Sequence, residues 1–318
     1  MENSTTRAKF DGAGWDLFKL YLFNALATIS TLGIYSFWAR VRVERYLRQH
    51  TSFLGQRFDF HATGMERFLG FLKAAPIAII LFCAIKFPLQ WWVFSAELEP
   101  LSNVIPIFLL LYILGPFIFV GRLRYHLSRT SYNNIRFHFA GRVLELVKIF
   151  LVGLPLTIIT LGFYSPWFTI RLKRFQIENT YYGNAGFKFD GTGGALFWIH
   201  MKGFLLLIPT LGFYASWWQA NVYNYFWNQT TVNGIRFKSN LKGEDILVYT
   251  ILSYMAILFS LGLAFPWIAV IWYKLFYEAI SMEVEPDLSQ IQPEFDKGAS
   301  ALAEGFESSL EALADIFD

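Results

Sequence analysis

Polar side chains recur at fixed distances behind a repeated Leu-Gly pair, within stretches that are otherwise aromatic and apolar. Arginine, asparagine or lysine stands twelve residues after the glycine in four copies, and arginine or asparagine stands nine residues after it in three. An unpaired polar group in hydrocarbon is costly, so these side chains should face protein or water. With two further polar positions they form a candidate polar pathway, or a set of anion and lipid contacts: Arg42, Arg45, Lys86, Arg171, Arg174, Gln219, Asn221, Asn224 and Lys274.

The same pattern also has a purely structural interpretation. Asparagine and glutamine hold neighbouring membrane helices together through hydrogen bonds, and arginine and lysine extend toward anionic lipid headgroups. Lys86 interrupts an apolar stretch, where it serves either interior pairing or a proton or substrate site. The sequence leaves both interpretations open.

No catalytic set is recognisable in the sequence. The five histidines lack the spacing of a metal centre, and there is no nucleophile elbow, nucleotide motif or repeated pair of acids. The single cysteine, Cys83, excludes an intramolecular disulfide and lies among apolar residues. We therefore expect no enzymatic activity and no bound metal or cofactor.

The Leu-Gly pair marks a unit that returns every fifty residues. It begins at residues 161, 211 and 261, each time with tryptophan five residues after the glycine, and an earlier copy begins at Leu32. Such a period predicts an array of similar supersecondary units. The predicted units are 10–57, 58–136, 137–186, 187–236 and 237–281, of which the second is the longest.

Composition indicates that this array lies in a membrane. Hydrophobic residues make up 55% of the 318 residues and charged residues only 16%, whereas a soluble domain carries about 25% charged residues. Several apolar stretches approach or exceed the roughly 20 residues that cross a bilayer. Residues 1–281 are therefore predicted to form a mainly helical, polytopic bundle of about five helix pairs, or roughly 8–10 transmembrane helices.

Each helix pair should be divided at a Thr/Ser-Leu-Gly break. Glycine can end the first helix in the left-handed conformation, and Pro166 or Pro266 suits the first turn of the second helix. In the second unit only Leu114-Gly115-Pro116 corresponds to this break. We expect a break there as well.

Short extended segments join the helix pairs and are predicted to form β-hairpins. Thr51–Phe60, Ser131–Phe139, Tyr181–Phe189 and Thr231–Lys238 each place aromatic or β-branched residues around a Gly or Asn turn. Basic residues gather toward these hairpins and are absent from the Leu-Gly breaks, so the positive-inside rule puts the hairpins and both termini in the cytoplasm. Alternatively, the basic second helices lie along the inner interface and fewer segments span the membrane.

The last residues, 282–318, differ chemically from the rest of the chain. Ten acidic residues stand there against one basic residue, whereas residues 1–281 are basic overall. Apolar residues from Leu302 to Phe317 follow a helical period, which predicts an amphipathic helix in this acidic tail. We expect the tail to dock on its own basic cytoplasmic face or on a partner and to cover an opening there, or else to remain a mobile solubilising extension.

A family resemblance is carried by residues Thr31 to Phe71, which read TLGIYSFWARVRVERYLRQHTSFLGQRFDFHATGMERFLGF. This string resembles the signature of the YjgN-like family of bacterial inner-membrane proteins, whose function is unknown. The similarity extends to about Met282, although the fourth and fifth units lack the Arg-Tyr basic cluster. The resemblance implies a multi-pass inner-membrane location and brings no activity, substrate or catalytic residue with it.

Two functions are compatible with these features. The first is a channel-like, transporter-like or lipid- or solute-binding component, with a polar cavity lined by Arg and Asn that contacts anionic headgroups or a small solute. The second is a non-transporting envelope scaffold that recruits partners through its hairpins and acidic tail. Nucleic acid is not expected as a partner. A water-filled cavity reaching Arg42, Arg171 and Asn224 would favour the first function, and a dry bundle the second.

Overall fold

The computed structural model describes residues 6–92 and 99–283, which are mainly helical. The predicted amphipathic helix of the acidic tail lies outside the described residues, as do residues 93–98 of the second unit. Within the described ranges, pairs of helices alternate with pairs of short strands. The 3.6-residue and two-residue periods of the apolar pattern account for this alternation.

The helices are α1 (Gly14–Ser30), α2 (Ser36–Gln49), α3 (Gly64–Trp92), α4 (Glu99–Ser128), α5 (Val143–Ile159), α6 (Ser165–Glu178), α7 (Gly193–Leu207), α8 (Ala215–Asn228), α9 (Gly243–Ser260) and α10 (Phe265–Glu278). The strands are β1 (Thr6–Arg7), β2 (Lys9–Phe10), β3 (Thr51–Phe53), β4 (Gln56–Phe60), β5 (Thr130–Tyr132), β6 (Ile135–Phe139), β7 (Thr180–Tyr182), β8 (Ala185–Phe189), β9 (Thr230–Val232), β10 (Ile235–Ser239) and β11 (Ile280–Met282).

The strands form one sheet rather than separate hairpins. Their order is β1-β11-β10-β9-β8-β7-β6-β5-β4-β3-β2, and all neighbours are antiparallel. Only Ala8 separates β1 from β2, so one N-terminal segment pairs with β11 on one side and with β3 on the other. The sheet therefore closes on itself, and hairpins that would be marginal alone are paired on both sides.

Alternation along the strands separates an aromatic interior from a basic exterior. Phe137 is paired with Tyr182 across β6 and β7, and Phe187 with Val232 across β8 and β9. These four side chains belong to one hydrophobic cluster inside the closed sheet. The basic residues of the strands are all exposed: Arg7, Lys9, Arg57, Arg136, Lys188, Arg236 and Lys238.

The helices form a ring that matches the closed sheet. Each helix contacts the next one along the chain, and α10 returns to contact α1. Where a break carries tryptophan, that ring packs on the glycine at or near the start of the next odd-numbered helix, and a Cβ atom on this glycine would overlap the indole. The pairs are Trp38–Gly64, Trp167–Gly193, Trp217–Gly243 and, where the ring closes, Trp267–Gly14.

The Thr/Ser-Leu-Gly breaks share one conformation in four units. Their leucines have φ between 48° and 52° and their glycines between 89° and 94°, so both residues are left-handed, whereas the sequence pattern indicated this only for glycine. The preceding hydroxyl accepts a hydrogen bond at the start of the next helix, as Thr160 Oγ1 does from the amide of Tyr164 at 3.0 Å. The four leucines are between 88% and 95% exposed: Leu32, Leu161, Leu211 and Leu261.

The second unit does not follow this pattern. The prediction of a break at Leu114-Gly115-Pro116 is wrong. α4 continues through these residues and contains both Pro106 and Pro116. Ile113 stands where the other units have threonine or serine, so no hydroxyl is available to cap a new helix. Membrane helices tolerate an internal proline because neighbouring groups satisfy the freed carbonyl.

Three helices of the described ranges are long and apolar enough to cross a membrane, at Gly64–Trp91, Val104–Ser128 and Gly243–Ser260. By contrast, α2, α6, α8 and α10 have 14 residues each, or about 21 Å of helix. This length is below the range for a full span. The architecture is that of a mainly helical membrane protein, with fewer full-length apolar helices than the 8–10 expected from the sequence.

Candidate functional site

Three of the four polar positions twelve residues after the glycine hold the corner between a strand and the following helix. Arg174 Nη2 donates a hydrogen bond to the carbonyl of Gly191 at 2.9 Å, and Asn224 Nδ2 donates to that of Leu241 at 2.8 Å. In each case the acceptor lies 17 residues after the donor. Equivalent bonds join Arg45 with Ala62 and Arg124 with Gly141. These side chains therefore stabilise the connection between each strand and the helix that follows it.

The two arginines nine residues after the glycine lie against aromatic rings. The guanidinium carbons of Arg42 and Arg171 lie 5.4 Å and 6.0 Å from the ring centroids of the tyrosines seven residues earlier. Such cation–π contacts are attractive, because the face of the aromatic ring carries partial negative charge. Arg42 and Arg45 also line a groove of about 460 Å³ beside α1, together with Asp16 and Gln49.

The remaining predicted positions lie apart from these. Gln219 and Asn221 are exposed on α8, and Lys86 Nζ lies 6.0 Å from the ring centroid of another α3 residue, Phe82. Lys274 lines a separate cavity of about 500 Å³ next to α9. The structure therefore does not bring the nine predicted residues together in one pathway.

A different set of charged residues meets in one cavity inside the helix ring. This cavity has a volume of about 900 Å³ and is lined by residues of α1, α2, α3, α4, α6 and α10. We call it the arginine cavity, and we call its charged and titratable lining the arginine cluster: Arg40, Glu44, Arg48, Arg67, Arg122 and His126. Among the residues that the structure describes, four guanidinium groups and one carboxylate line this cavity.

Glu44 lies at the centre of the arginine cluster. Its Oε1 accepts a hydrogen bond from Arg67 Nη2 at 2.8 Å, and its Oε2 lies 3.4 Å from Arg48 Nη1 and 3.6 Å from His126 Nδ1. The side chain of Arg67 is only 2% exposed, so this ion pair offsets the cost of removing its charge from water. The contacts of Glu44 thus bring α2, α3 and α4 together at one point of the cavity wall.

Asn24 adds an unused acceptor to the wall of the arginine cavity. The residue is 4% exposed, and its Nδ2 donates to the carbonyl of Ala39 at 3.3 Å. Its Oδ1 has no hydrogen-bond partner in the part of the chain that the structure describes. Buried side-chain polar atoms usually have a partner, so this position is suited to a donor from water or a ligand.

A helical signal for the arginine cluster was present in the sequence. Arg40, Glu44 and Arg48 are spaced by four residues and so lie on one face of α2, and Arg122 and His126 have the same spacing on α4. Counting from the Leu-Gly pair selects positions that recur in every unit. The arginine cluster comes only from the first two units. Counting from the Leu-Gly pair therefore does not find it.

A second cavity lies inside the closed sheet, and we call it the barrel cavity. It has a volume of about 260 Å³ and an aromatic and aliphatic lining. The hydroxyls of Tyr132 and Tyr182, which also line it, donate to the carbonyls of Phe53 and Tyr132 at 2.6 Å and 3.0 Å. Burial raises the pKa of both tyrosines to about 12, so they remain neutral donors. Other lining side chains are Phe58, Phe137, Phe187, Val232, Phe237 and Met282.

The arginine cavity has donor groups suited to anions. Guanidinium groups bind carboxylate and phosphate oxygens through paired, charge-assisted hydrogen bonds. Across residues 6–92 and 99–283, no three side chains of the His, Cys, Asp or Glu type are grouped so that they could hold a metal ion. Guanidinium groups of this kind recognise negatively charged groups, whether these belong to a ligand or to another part of the chain.

Comparison with known proteins places the chain in a family. A family model described as a bacterial protein of unknown function, DUF898, matches residues 5–214 and 198–308. The chain belongs to this family. The DUF898 match covers both the helix ring and the closed sheet, and it confirms the resemblance to YjgN-like proteins that residues Thr31 to Phe71 carry.

Curated relatives of this DUF898 member are named inner membrane protein YjgN. The protein from Escherichia coli O157:H7 is 33% identical over 130 residues, and that from Salmonella typhimurium strain LT2 is 31% identical over 138 residues. These alignments cover 41% and 43% of this chain but only 30% and 32% of the relatives. The chain thus matches about a third of each relative's length. No solved structure matches this DUF898 member.

Proposed function

We propose that the chain is a multi-pass protein of the bacterial inner membrane, with its strands and both termini on the cytoplasmic side. The names of its relatives, the three long apolar helices and the basic outer face of the strands support this arrangement. The α3/α4 pair crosses the bilayer, and the four shorter helix pairs, among which α9 has the length of a full span, enter it from the cytoplasmic side with the leucines of their breaks in hydrocarbon. Anionic lipid headgroups bind the basic residues at the inner interface.

Within this arrangement the protein binds an anion in the arginine cavity and acts as a channel-like, transporter-like or solute-binding component without enzymatic activity. The observation that carries this proposal is the meeting of four guanidinium groups, whose donors suit an anion, around a single cavity of about 900 Å³. Asn24 Oδ1 offers an acceptor for a protonated oxygen of the same ligand.

A scaffold that recruits partners is the alternative function. The strands carry seven exposed basic residues and one carboxylate, that of Asp59, so their outer face attracts acidic segments. Lys238 already pairs with Glu283, the residue that leads into the acidic tail. The tail, or an acidic partner, would occupy this face in a scaffold, and the tail would cover a cytoplasmic opening in a transporter.

Uptake of radiolabelled phosphate into liposomes that contain the full-length chain tests the proposal. We expect uptake above that of protein-free liposomes, together with saturable phosphate binding to the purified protein. The double substitution Arg40→Gln and Arg122→Gln removes two cations of the arginine cluster and should weaken both by roughly tenfold or more, as expected for lost hydrogen bonds to charged groups.

Arg136→Gln together with Lys188→Gln is the matched control, because this pair removes the same number of charges from the exposed faces of β6 and β8, outside both cavities. It should leave phosphate binding within about twofold of wild type, since an exposed charge contributes little at a distance in salt. Absence of binding to the wild-type protein, or an equal loss in the control, would overturn the anion site. A wild type that binds phosphate without uptake would restrict the function to solute binding, and a wild type that does neither would favour the scaffold.

A further inference from the structure

The Phe-x-Phe pairs of the strands divide the inside of the closed sheet into two levels. The second members of these pairs are buried among side chains of the neighbouring helices: Phe60, Phe139 and Phe189. The first members point to the same side of each strand but are only partly buried: Phe58, Phe137 and Phe187. The interior is therefore filled next to the helices and less filled toward the hairpin turns.

The barrel cavity occupies this less filled level and is lined by residues from both of its ends. Trp227 of α8 and Tyr277 of α10 lie at the helix end, whereas Leu54 and Asn233 belong to the turns of two hairpins. Asn233 is exposed, so the cavity reaches the protein surface at the turns. A ligand can enter there without crossing the layer of helices.

The lining of the barrel cavity offers few free polar groups to a ligand. The hydroxyls of Tyr132 and Tyr182 already donate to backbone carbonyls, and Thr51 Oγ1 donates to the carbonyl of Leu47 at 2.8 Å. A polar group that moves from water into such a lining loses its hydrogen bonds, which is costly. Apolar cavities remain dry or take up apolar molecules. The cavity therefore selects an uncharged, apolar ligand.

Volume and ring geometry specify this ligand further. A dry cavity of about 150 Å³ holds benzene, with its six carbons. By proportion, the barrel cavity of about 260 Å³ holds roughly ten carbons. Rings of neighbouring strands contact each other around it, with centroids 4.9 Å apart in two tilted pairs: Phe58–Tyr132 and Phe137–Tyr182. Such ring pairs attract each other beyond the burial of their area, and a rigid ring loses less entropy on binding than a flexible chain.

We propose that the barrel cavity binds an uncharged aromatic molecule of two fused rings, which enters between the hairpin turns. Its rings extend the contacts among the phenylalanines and tyrosines that line the cavity. The arginine cluster takes no part in this site, so binding is independent of the proposed anion site. The first member of each Phe-x-Phe pair thus serves the ligand, and the second packs the strands on the helices.

Binding of naphthalene and of decalin, its saturated counterpart with the same carbon skeleton, tests this inference. The full-length protein in lipid nanodiscs is dialysed to equilibrium against each compound, and uptake into empty nanodiscs is measured in parallel. We expect saturable binding of naphthalene. Dividing each affinity by the uptake into empty nanodiscs removes the difference in hydrophobicity between the compounds. The normalised affinity should be at least roughly threefold higher for naphthalene, the factor expected for one ring contact.

One pair of substitutions on β9 locates the bound ligand. Val232→Phe fills part of the barrel cavity and should weaken naphthalene binding by roughly tenfold or more, because two fused rings no longer fit. Thr231→Phe is the matched control, because Thr231 is paired with the exposed Lys188 and Arg236 on the outer face of the sheet. It should leave naphthalene binding within about twofold of wild type, as is usual for a surface substitution.

A second pair of substitutions, on β6, tests the aromatic wall. Phe137→Leu removes one ring and keeps an apolar side chain, so it should lower the preference for naphthalene over decalin by roughly twofold or more. Phe139→Leu makes the same change in the second member of the pair, which does not line the cavity, and should leave that preference unchanged. Thermal unfolding identifies the variants that remain folded.

The outcomes are distinct. Absence of saturable naphthalene binding to the wild type overturns the inference, and so does binding that Val232→Phe and Thr231→Phe reduce equally or not at all. A normalised affinity for decalin that equals that for naphthalene overturns the aromatic class. Where Val232→Phe does not fold, an unchanged preference in Phe137→Leu overturns the site. A loss confined to Val232→Phe, with a lowered preference in Phe137→Leu alone, supports it.

Discussion

The second unit and the four shorter units use the same strand pairs but build different helices on them. α3 and α4 have 29 and 30 residues, about 44 Å each, whereas the helices of the other units have 14 to 18 residues. The long pair exceeds the thickness of the hydrocarbon core, and the even-numbered helices of the short pairs fall below it. One position in the ring can therefore cross a bilayer fully while its neighbours end inside it.

The ends of the helices differ in the same way. The short pairs turn at a tight Thr/Ser-Leu-Gly break with two left-handed residues and an exposed leucine, and α4 of the second unit passes through its Leu-Gly pair without turning. A left-handed leucine is strained and, in water, unfavourably exposed. In the proposed arrangement the breaks lie in hydrocarbon, where an exposed leucine avoids this contact with water.

The largest expected effect is a difference in thiol labelling between the two kinds of unit. With Cys83 replaced by alanine, Trp91→Cys in α3 and Leu211→Cys in a short unit introduce thiols at positions that are both 88% exposed. Trp91 lies about 40 Å of helix beyond Gly64, whereas α7 ends at Leu207, about 21 Å beyond Gly193, and Leu211 lies in the break that follows. A membrane-impermeant maleimide added outside spheroplasts should label the first at least roughly tenfold faster, because a thiol within hydrocarbon is shielded.

The control uses permeabilised cells, solubilised in detergent, and a membrane-permeant maleimide. Both thiols should react under these conditions. Equal labelling of the two positions from outside would show that the short pairs reach the far surface. The distinction between long and short units would then be lost, and five full helix pairs would be the better description.

The second effect is on stability and concerns the tryptophan contacts between short units. A Cβ atom at Gly193 would lie 2.6 Å from Cγ of Trp167, whereas at the adjacent Gly194 it would meet nothing within 4 Å. Gly193→Ala should therefore lower the free energy of unfolding by about 1–3 kcal/mol, the usual cost of overpacking. Gly194→Ala, the matched control in the same helical turn, should leave it unchanged or raise it slightly. Denaturant unfolding in detergent micelles, followed by tryptophan fluorescence, measures both, and equal effects would contradict the packing role.

The smallest effect concerns an outward-facing strand position where the second unit differs in charge. Asp59 stands there in β4, and the corresponding positions of the later units carry His138, Lys188 and Lys238. Burial raises the pKa of Asp59, but hydrogen bonds from the Phe60 amide and from Gln49 outweigh it and leave the pKa below its usual value. The stabilisation is therefore complete above about pH 4, the usual range of the group, and is lost as the pH falls through the lower folded pKa.

Asp59→Asn should remove this part of the acid sensitivity, a change of a few tenths of a kcal/mol for a largely exposed carboxylate. Gln49→Leu removes one of the two donors and should reproduce part of the change. Unfolding midpoints measured between pH 3 and pH 7 provide the comparison. Identical acid sensitivity in wild type and both variants would remove any role for this carboxylate.

The sequence predicted the local elements well where residue type alone decides them. The four hairpins, the helix ends at Thr/Ser-Leu-Gly and the prolines in the first turns of α6 and α10 all follow from turn and capping chemistry. It failed at Leu114-Gly115-Pro116, because the absence of a capping hydroxyl outweighed the Leu-Gly signal. The amphipathic helix expected in the acidic tail stays a prediction, since it lies outside the described residues.

The candidate site was less accessible from the sequence than the fold. Side chains chosen for their repeated register, such as Arg174 and Asn224, bind backbone corners, which is a structural need that every unit shares. The arginine cluster does not repeat, because a single central cavity requires only one set of charges. Repetition therefore identified what holds the ring together and not what the ring encloses.

The sequence by itself determined that this protein lies in a membrane and alternates helix pairs with strand pairs, because hydrophobicity, period and turn residues act over short distances. Only the tertiary structure decided that the N-terminal segment closes the sheet between β3 and β11 and that Glu44 of α2 meets Arg67 of α3 in a shared cavity. Closure joins residues nearly the whole chain apart, and no local pattern encodes which distant partner completes a ring. The apolar interior of the strands follows from that closure, whereas the arginine cluster follows from the packing of α2, α3 and α4.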